Sequence, residues 1–260
     1  MPVHRFSALQ RALRDEWFGL VETADRWTEK GPIGEGESAS IRVQNEFNAM
    51  VGVAKPGPPK AAETDHCRAA HEKLAFDLAY AAELPVGAVV LWGEAMTAQY
   101  KRGRSISSWA FPEAIKWSEA DRSRLITPAS KIGAGYVISM MRVFHTWIGD
   151  TDRKGDHILL DINGPDGDPR VAFIDHGHSM SLTWKTPNAA SGPCPNYLPD
   201  VPEVRDAMIE AADRIAAIEN AEVERLVNRI PAAYLPDPHR GHILQNLMAR
   251  KGTLRTILGF

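Results

Sequence analysis

Apolar and polar residues alternate in short blocks through the first third of the chain, then change to a helical rhythm. Residues 38–44 and 49–55 are strand-like runs separated by the polar turn Asn45-Glu46-Phe47-Asn48. Pro56, Pro58 and Pro59 stop the second run. From Asp65 to Leu84, Ala70, Leu74, Leu78 and Ala82 recur at four-residue spacing and predict one helix with an inward apolar stripe. Pro85 ends it, because a residue before proline is pushed out of the helical region, and residues 86–92 read as a buried strand.

The second half is mostly helical. Ile132, Tyr136, Met140, Val143 and Trp147 form one column, and Val137, Met141, Phe144 and Ile148 form the adjacent one. Two columns make a broad apolar face, so this helix is expected to be central and to deliver the chain to a polar loop at Asp152. Ile158-Leu159-Leu160 and a second apolar run ending in Ile174-Asp175-His176-Gly177 flank a turn rich in Gly, Pro and Asp. That pattern predicts a hairpin, which brings the Asp152 loop and Asp175 to the same end. Residues 178–202 read as a long irregular segment, and residues 204–218 and 241–258 as closing helices. Residues 11–27 read as an amphipathic helix. The fold class expected is α+β with two lobes: a small β-rich N-terminal lobe (1–94) and a larger, mostly helical C-terminal lobe (95–260).

Composition narrows the classes. A chain of 260 residues, 44% hydrophobic, can bury a sizeable core, and a net charge of −3 provides no basic field for nucleic acid. The longest apolar runs are too short to span a bilayer, and the N-terminus lacks the apolar core of a signal peptide. Cys67 and Cys194 have neither metal-ligand spacing nor the look of a disulfide framework. A cytoplasmic protein with no membrane partner is expected.

The chemistry-bearing residues fall in an order that makes sense together. Gly31 to Ser38 is a glycine-rich turn, in which Gly34, Gly36 and Ser38 can lay backbone N–H groups against phosphate. Lys55 ends a strand and can reach phosphates as a point charge, although Lys60 competes for that role. Glu72, read on the polar side of its helix, can hold Lys55. Asp152 can orient a hydroxyl, with Arg153 positioning the loop, and Asp175 can bind magnesium. Singly, each has a plainer reading: strand-end lysine, solvated glutamate, turn-forming aspartates. Their order is harder to reach by accident.

The strand lysine, the helix glutamate followed by Leu84-Pro85-Val86, the run from Trp147 to Arg153 and Phe173-Ile174-Asp175-His176-Gly177 together resemble the HipA-like kinases. The tail, Ile230 to Leu235 with Leu247 to Lys251, is similar to the closing segment of that family. The resemblance implies a protein-kinase-like fold, ATP and Mg2+ or Mn2+ as cofactors, and a protein or small-molecule hydroxyl as acceptor. It implies Lys55 as the phosphate lysine, Glu72 as its ion-pair partner, Asp152 as the catalytic aspartate and Asp175 as the metal ligand. Five residues after Asp152 the family carries a metal-binding asparagine; here His157 stands there, preceded by Asp156. Both are therefore candidate metal residues, and a nucleotide-binding pseudokinase or a nucleotidyl transferase on the same fold stays open. His145, His157, His176 and His178 near the same carboxylates also admit a His/Asp metallohydrolase.

Overall fold

Pairing of the early strand runs builds a six-stranded sheet, of which the computed structural model describes all or part of every strand; the residues described are 14–19, 22–23, 27–33, 40–46, 51–56, 67–92, 104–108, 114–150, 152–161, 170–180 and 192–260. The strands are β1 (Glu22–Thr23), β2 (Trp27–Pro32), β3 (Ile41–Asn45), β4 (Val51–Pro56), β5 (Ala88–Trp92) and β6 (Arg104–Ser108). Their spatial order is β1-β5-β6-β4-β3-β2, antiparallel except for the parallel pair β1–β5. β5 is buried along its whole length, as its uniformly apolar sequence requires. β6 is hydrogen bonded to both β4 and β5, so the first sheet runs past residue 94, where the sequence places the boundary between lobes.

The N-terminal segment differs from the single long helix its polarity pattern predicts. Residues 14–18 are helical (α1), but Glu22–Thr23 pairs with β5 and Trp27 opens β2. The chance to extend the sheet edge with backbone hydrogen bonds overrides the helical spacing there.

Helix α2 (Arg68–Ala81) carries the expected stripe of Ala70, Leu74 and Leu78, all fully buried. Removing the Leu74 side chain from such a site should cost about 2–5 kcal/mol. Burial goes further than one stripe: every residue from Ala69 to Ala79 is buried. After α2, the chain leading into β5 is stitched to the second sheet: Gly87 donates to the carbonyl of Phe173 (2.9 Å), and Phe173 donates to that of Pro85 (3.0 Å).

That second sheet has three strands, β7 (Ile115–Lys116), β8 (Ile158–Asp161) and β9 (Arg170–Phe173), in sequence order. β8 and β9 form the expected hairpin, with Ile158 opposite Phe173. Between β7 and β8 lie α3 (Trp117–Arg122) and α4 (Pro128–Ile148), and a single 3-10 turn, Gly155–His157, precedes β8. The Thr127 hydroxyl accepts from the Ser130 N–H at 3.1 Å and Pro128 occupies the first turn, two ordinary start signals for α4. Its C-terminal half is buried from Val137 onward apart from Arg142. Ile132, placed by the sequence in the apolar column, is 66% exposed because the first turns of α4 project beyond the core. Gly135 allows Pro202 to approach: a Cβ there would stand 2.6 Å from the Pro202 carbonyl oxygen. Helices α5 (Arg205–Ala217), α6 (Asn220–Asn228) and α7 (Asp237–Leu258) complete the larger helical part, with α5 and α7 packed on α4. No helix among the described residues is long and apolar enough to cross a membrane.

Candidate active site

Three elements meet at Lys55. Its Nζ is 2.9 Å from Oε1 of Glu72 on α2 and 2.7 Å from Oδ1 of Asp175, just beyond β9. Glu72 is only 2% exposed, so its expected place on a polar helix face is corrected. A buried carboxylate needs partners on both oxygens, and Oε2 accepts the backbone N–H of His176 at 2.9 Å. Burial acts against the Lys55 ammonium, but the carboxylates of Glu72 and Asp175 outweigh it and raise its pKa above 10.5. Burial likewise works against ionised Asp175, yet Lys55 dominates and holds this carboxyl well below the usual carboxylate range. Both groups are therefore charged at neutral pH.

Asp175 has φ +65°, a left-handed conformation that aspartate tolerates better than most residues. The bend presents its carboxylate to Lys55 and the following N–H to Glu72. Arg153 fixes the bend from the other side, donating to the carbonyls of Ile174 (3.1 Å) and Asp175. The same guanidinium approaches Oδ2 of Asp150 with its Nε at 3.2 Å. Arg153 thus ties the loop to the end of the hairpin, in keeping with its expected positioning role.

The loop itself starts from a helix stop. Gly149 ends α4 at φ +63°, and the Asp150 N–H donates back to the carbonyl of His145 at 2.9 Å. Asp150 is 2% exposed and accepts the Asp152 N–H on Oδ1 at 3.1 Å. Asp152, by contrast, has a side chain 44% exposed, with the Lys154 ammonium 3.7 Å away. Its backbone is held and its carboxylate is open, as a group that meets an incoming hydroxyl needs.

His157 sits with Nδ1 2.8 Å from Nη2 of Arg153 and Nε2 3.6 Å from Oδ2 of Asp175. Arginine can only donate, so Nδ1 accepts and the ring proton of neutral His157 lies on Nε2. Burial, with Arg153 beside it, lowers the pKa of His157 to about 4. As placed, Nδ1 is committed to Arg153, and the ring turns an N–H toward Asp175, 3.6 Å away, where a ligand would turn a lone pair. Asp156 takes a different partner: the Ser118 hydroxyl on α3 donates to its Oδ1. The loop therefore brings Asp175 and His157 together and leaves Asp156 with α3.

Gly34, Gly36 and Ser38 lie outside the described residues. Of the four histidines, His145 and His176 pack together, with ring centroids 5.5 Å apart and no exposed surface. They adjoin Asp150, whose part the sequence hid because an aspartate beside Gly149 reads as a turn former. The only sequence signal was the density of polar residues after an apolar helix.

No family model matches this chain, and no curated protein sequence matches it. Solved structures do. A Helicobacter pylori proinflammatory kinase, CtkA, superposes with a TM-score of 0.62 at 12% identity, over 92% of this chain and 94% of that one. WaaP in complex with acyl carrier protein aligns over 95% of this chain and 97% of that one at 14% identity, with a TM-score of 0.40. The likeness to CtkA, with the small β-rich part and the larger helical part described above, establishes a protein-kinase-like fold.

Proposed function

We propose that this chain is an ATP-dependent phosphotransferase similar to the HipA-like Ser/Thr kinases, acting on a hydroxyl of a protein or small molecule. The observation that carries this reading is the Lys55 ammonium held between Glu72 and Asp175, in a chain whose neighbouring loop leaves the Asp152 carboxylate open. Lys55 would take nucleotide phosphate as its third partner while Glu72 keeps it in place. The Asp175 side chain, one-third exposed at 33%, offers an oxygen of the kind magnesium prefers. When bound, the magnesium nucleotide supplies the phosphoryl group and offsets the charge that builds on it. Asp152 orients the acceptor hydroxyl and takes its proton as the new oxygen–phosphorus bond forms and ADP departs. Catalysis by this set is positioning and charge compensation.

A second reading, nucleotide binding without transfer, is favoured by one observation: His157, at the position where the HipA-like pattern has a metal-binding asparagine, gives Nδ1 to Arg153 and turns an N–H, not a lone pair, toward Asp175. A hydrolytic metal centre on the buried histidine pair has less support, since His145 and His176 have no surface open to a substrate.

Parallel incubation with α- and γ-labelled ATP, with magnesium and then manganese, tests the proposal. Label transferred from γ-ATP alone, and lost in Asp152→Ala, is the expected result. Label from α-ATP would assign nucleotidyl transfer instead. Bound ATP with no transfer to any acceptor, the protein itself included, would select the second reading.

A further inference from the structure

We propose that His145, Asp150 and His176 form a second metal site, for zinc or a similar divalent transition ion, buried under the catalytic loop. This site is separate from any nucleotide-bound metal at Asp175 and does not depend on the phosphotransfer reading.

The three residues come from three elements: the last turn of α4, the loop after Gly149 and the bend after β9. One ligand atom from each lies within 4.8 Å of the others, and all three residues are buried. Zinc requires ligand atoms about 2.0–2.2 Å from the ion, so the three would draw closer together on binding it. The stronger argument is what these atoms lack. Nε2 of His145 and both ring nitrogens of His176 are buried without a hydrogen bond, while Oδ2 of Asp150, buried beside them, has the Arg153 guanidinium as an ion-pair partner. The three imidazole nitrogens lie in one place, next to that carboxylate oxygen. Buried polar atoms are nearly always satisfied, so a cluster of this kind calls for an occupant.

The surrounding groups suit a cation that binds neutral imidazole. Tyr197 Oη is 3.4 Å from Nδ1 of His145; a proton on Nδ1 facing the phenol leaves the Nε2 lone pair directed into the cluster. Burial, reinforced by Arg153, keeps both histidines neutral by lowering their pKa values well below 6.5. Asp150 supplies the anionic oxygen and is shared with Arg153, whose Nε is 3.2 Å from Oδ2. Two imidazoles and one carboxylate are a common zinc donor set. An ion here would fix Asp150 two residues before Asp152 and His176 directly after Asp175, and so set the distance between the loop and the Asp175 bend.

The test uses the full, untagged chain, loaded with Zn2+ and dialysed, and reads bound metal by elemental analysis. Retention of about one ion per chain, lost in both His145→Gln and His176→Gln but kept in His157→Asn and Asp175→Asn, is the expected result. Wild-type protein that retains no ion, an ion kept by His145→Gln, or an ion lost in His157→Asn would each overturn the proposal. Should the histidine variants fail to fold, X-ray absorption on zinc-loaded wild-type protein decides. A first shell containing two imidazoles supports the site, and a shell without them overturns it.

Discussion

Helix α2 carries two lysine–carboxylate clusters one residue apart, and they are built to opposite ends. On one side Lys73 pairs with Asp77 at 2.8 Å, and Asp77 also receives Arg229 at 2.6 Å. Lys73 and Asp77 are fully buried, and Lys73 and Arg229 also donate to the carbonyls of Trp17 and Phe18, respectively. On the other side Glu72 holds Lys55, but Lys55 is 16% and Asp175 33% exposed. In the first cluster Lys73 and Asp77 have no exposed surface and Arg229 reaches solvent only at 13%, so it holds the N-terminal segment, α2 and the end of α6 together. The second keeps an open face, where a further anion or cation can join it. Both clusters are built around a lysine–carboxylate pair; the exposure of the carboxylate, 0% for Asp77 and 33% for Asp175, separates a structural cluster from a site.

The sharpest way to break this comparison is Asp77→Ala. It leaves two buried cations facing each other, and loss of one partner from a buried pair costs about 3–5 kcal/mol. A fall in Tm of roughly 10 °C is expected for a chain of this size, with unchanged phosphotransfer per folded molecule at low temperature. Asp175→Asn should do the reverse. Lys55 keeps Glu72, so Tm should hardly move, while transfer falls about a hundred- to a thousandfold, as for loss of a preorganised charge. A large Tm loss in Asp175→Asn with transfer intact would erase the distinction.

Lys73→Met is milder, because Asp77 retains Arg229. Its signature is in the pH dependence. Burial lowers the Lys73 pKa to about 8, against 10.5 unfolded. Between those values the unfolded chain binds more protons, so this group makes stability rise with pH. Denaturant titrations at pH 8 and pH 10 should show the wild type gaining on Lys73→Met as pH increases; a constant difference would mean that Lys73 keeps an ordinary pKa.

The sequence showed the α2 stripe of Ala70, Leu74 and Leu78 but not the fate of the charges between them. Glu72, Lys73 and Asp77 sit where a helical wheel predicts solvent, and all three are buried because β5, β6 and α6 close over the remaining faces. Such cover is a tertiary fact with no local signal. The hairpin was legible, since apolar runs around a Gly/Pro/Asp turn leave few alternatives, and with it the meeting of the Asp152 loop and Asp175. Strand β6 was not, because it follows a polar stretch and owes its pairing to β4 and β5. Asp150 and His176 were hidden for another reason: Asp150 beside Gly149 reads as a turn former, and His176 is tied to Glu72, far away in sequence.

The smallest effect concerns His157, and it tests the open cluster from inside. Arg153 holds Nδ1, so the ring gives Asp175 an N–H. An asparagine in its place would offer a carbonyl oxygen, which magnesium accepts, so His157→Asn should raise magnesium-dependent transfer by about tenfold, or ~1.4 kcal/mol. A fall in transfer would mean that the histidine belongs to this protein's own catalytic arrangement. A second readout is independent of catalysis. With a pKa of about 4 folded and 6.5 unfolded, His157 lets the unfolded chain bind more protons between those values. Its contribution to stability is therefore full above pH 6.5 and is lost as pH falls toward 4. The asparagine variant lacks that titration, so its stability should decline less than wild type over this window. Since His145 and His176 are common to both proteins, their own titrations cancel in the difference. Parallel acid limbs would show that burial and Arg153 together do not hold the ring neutral.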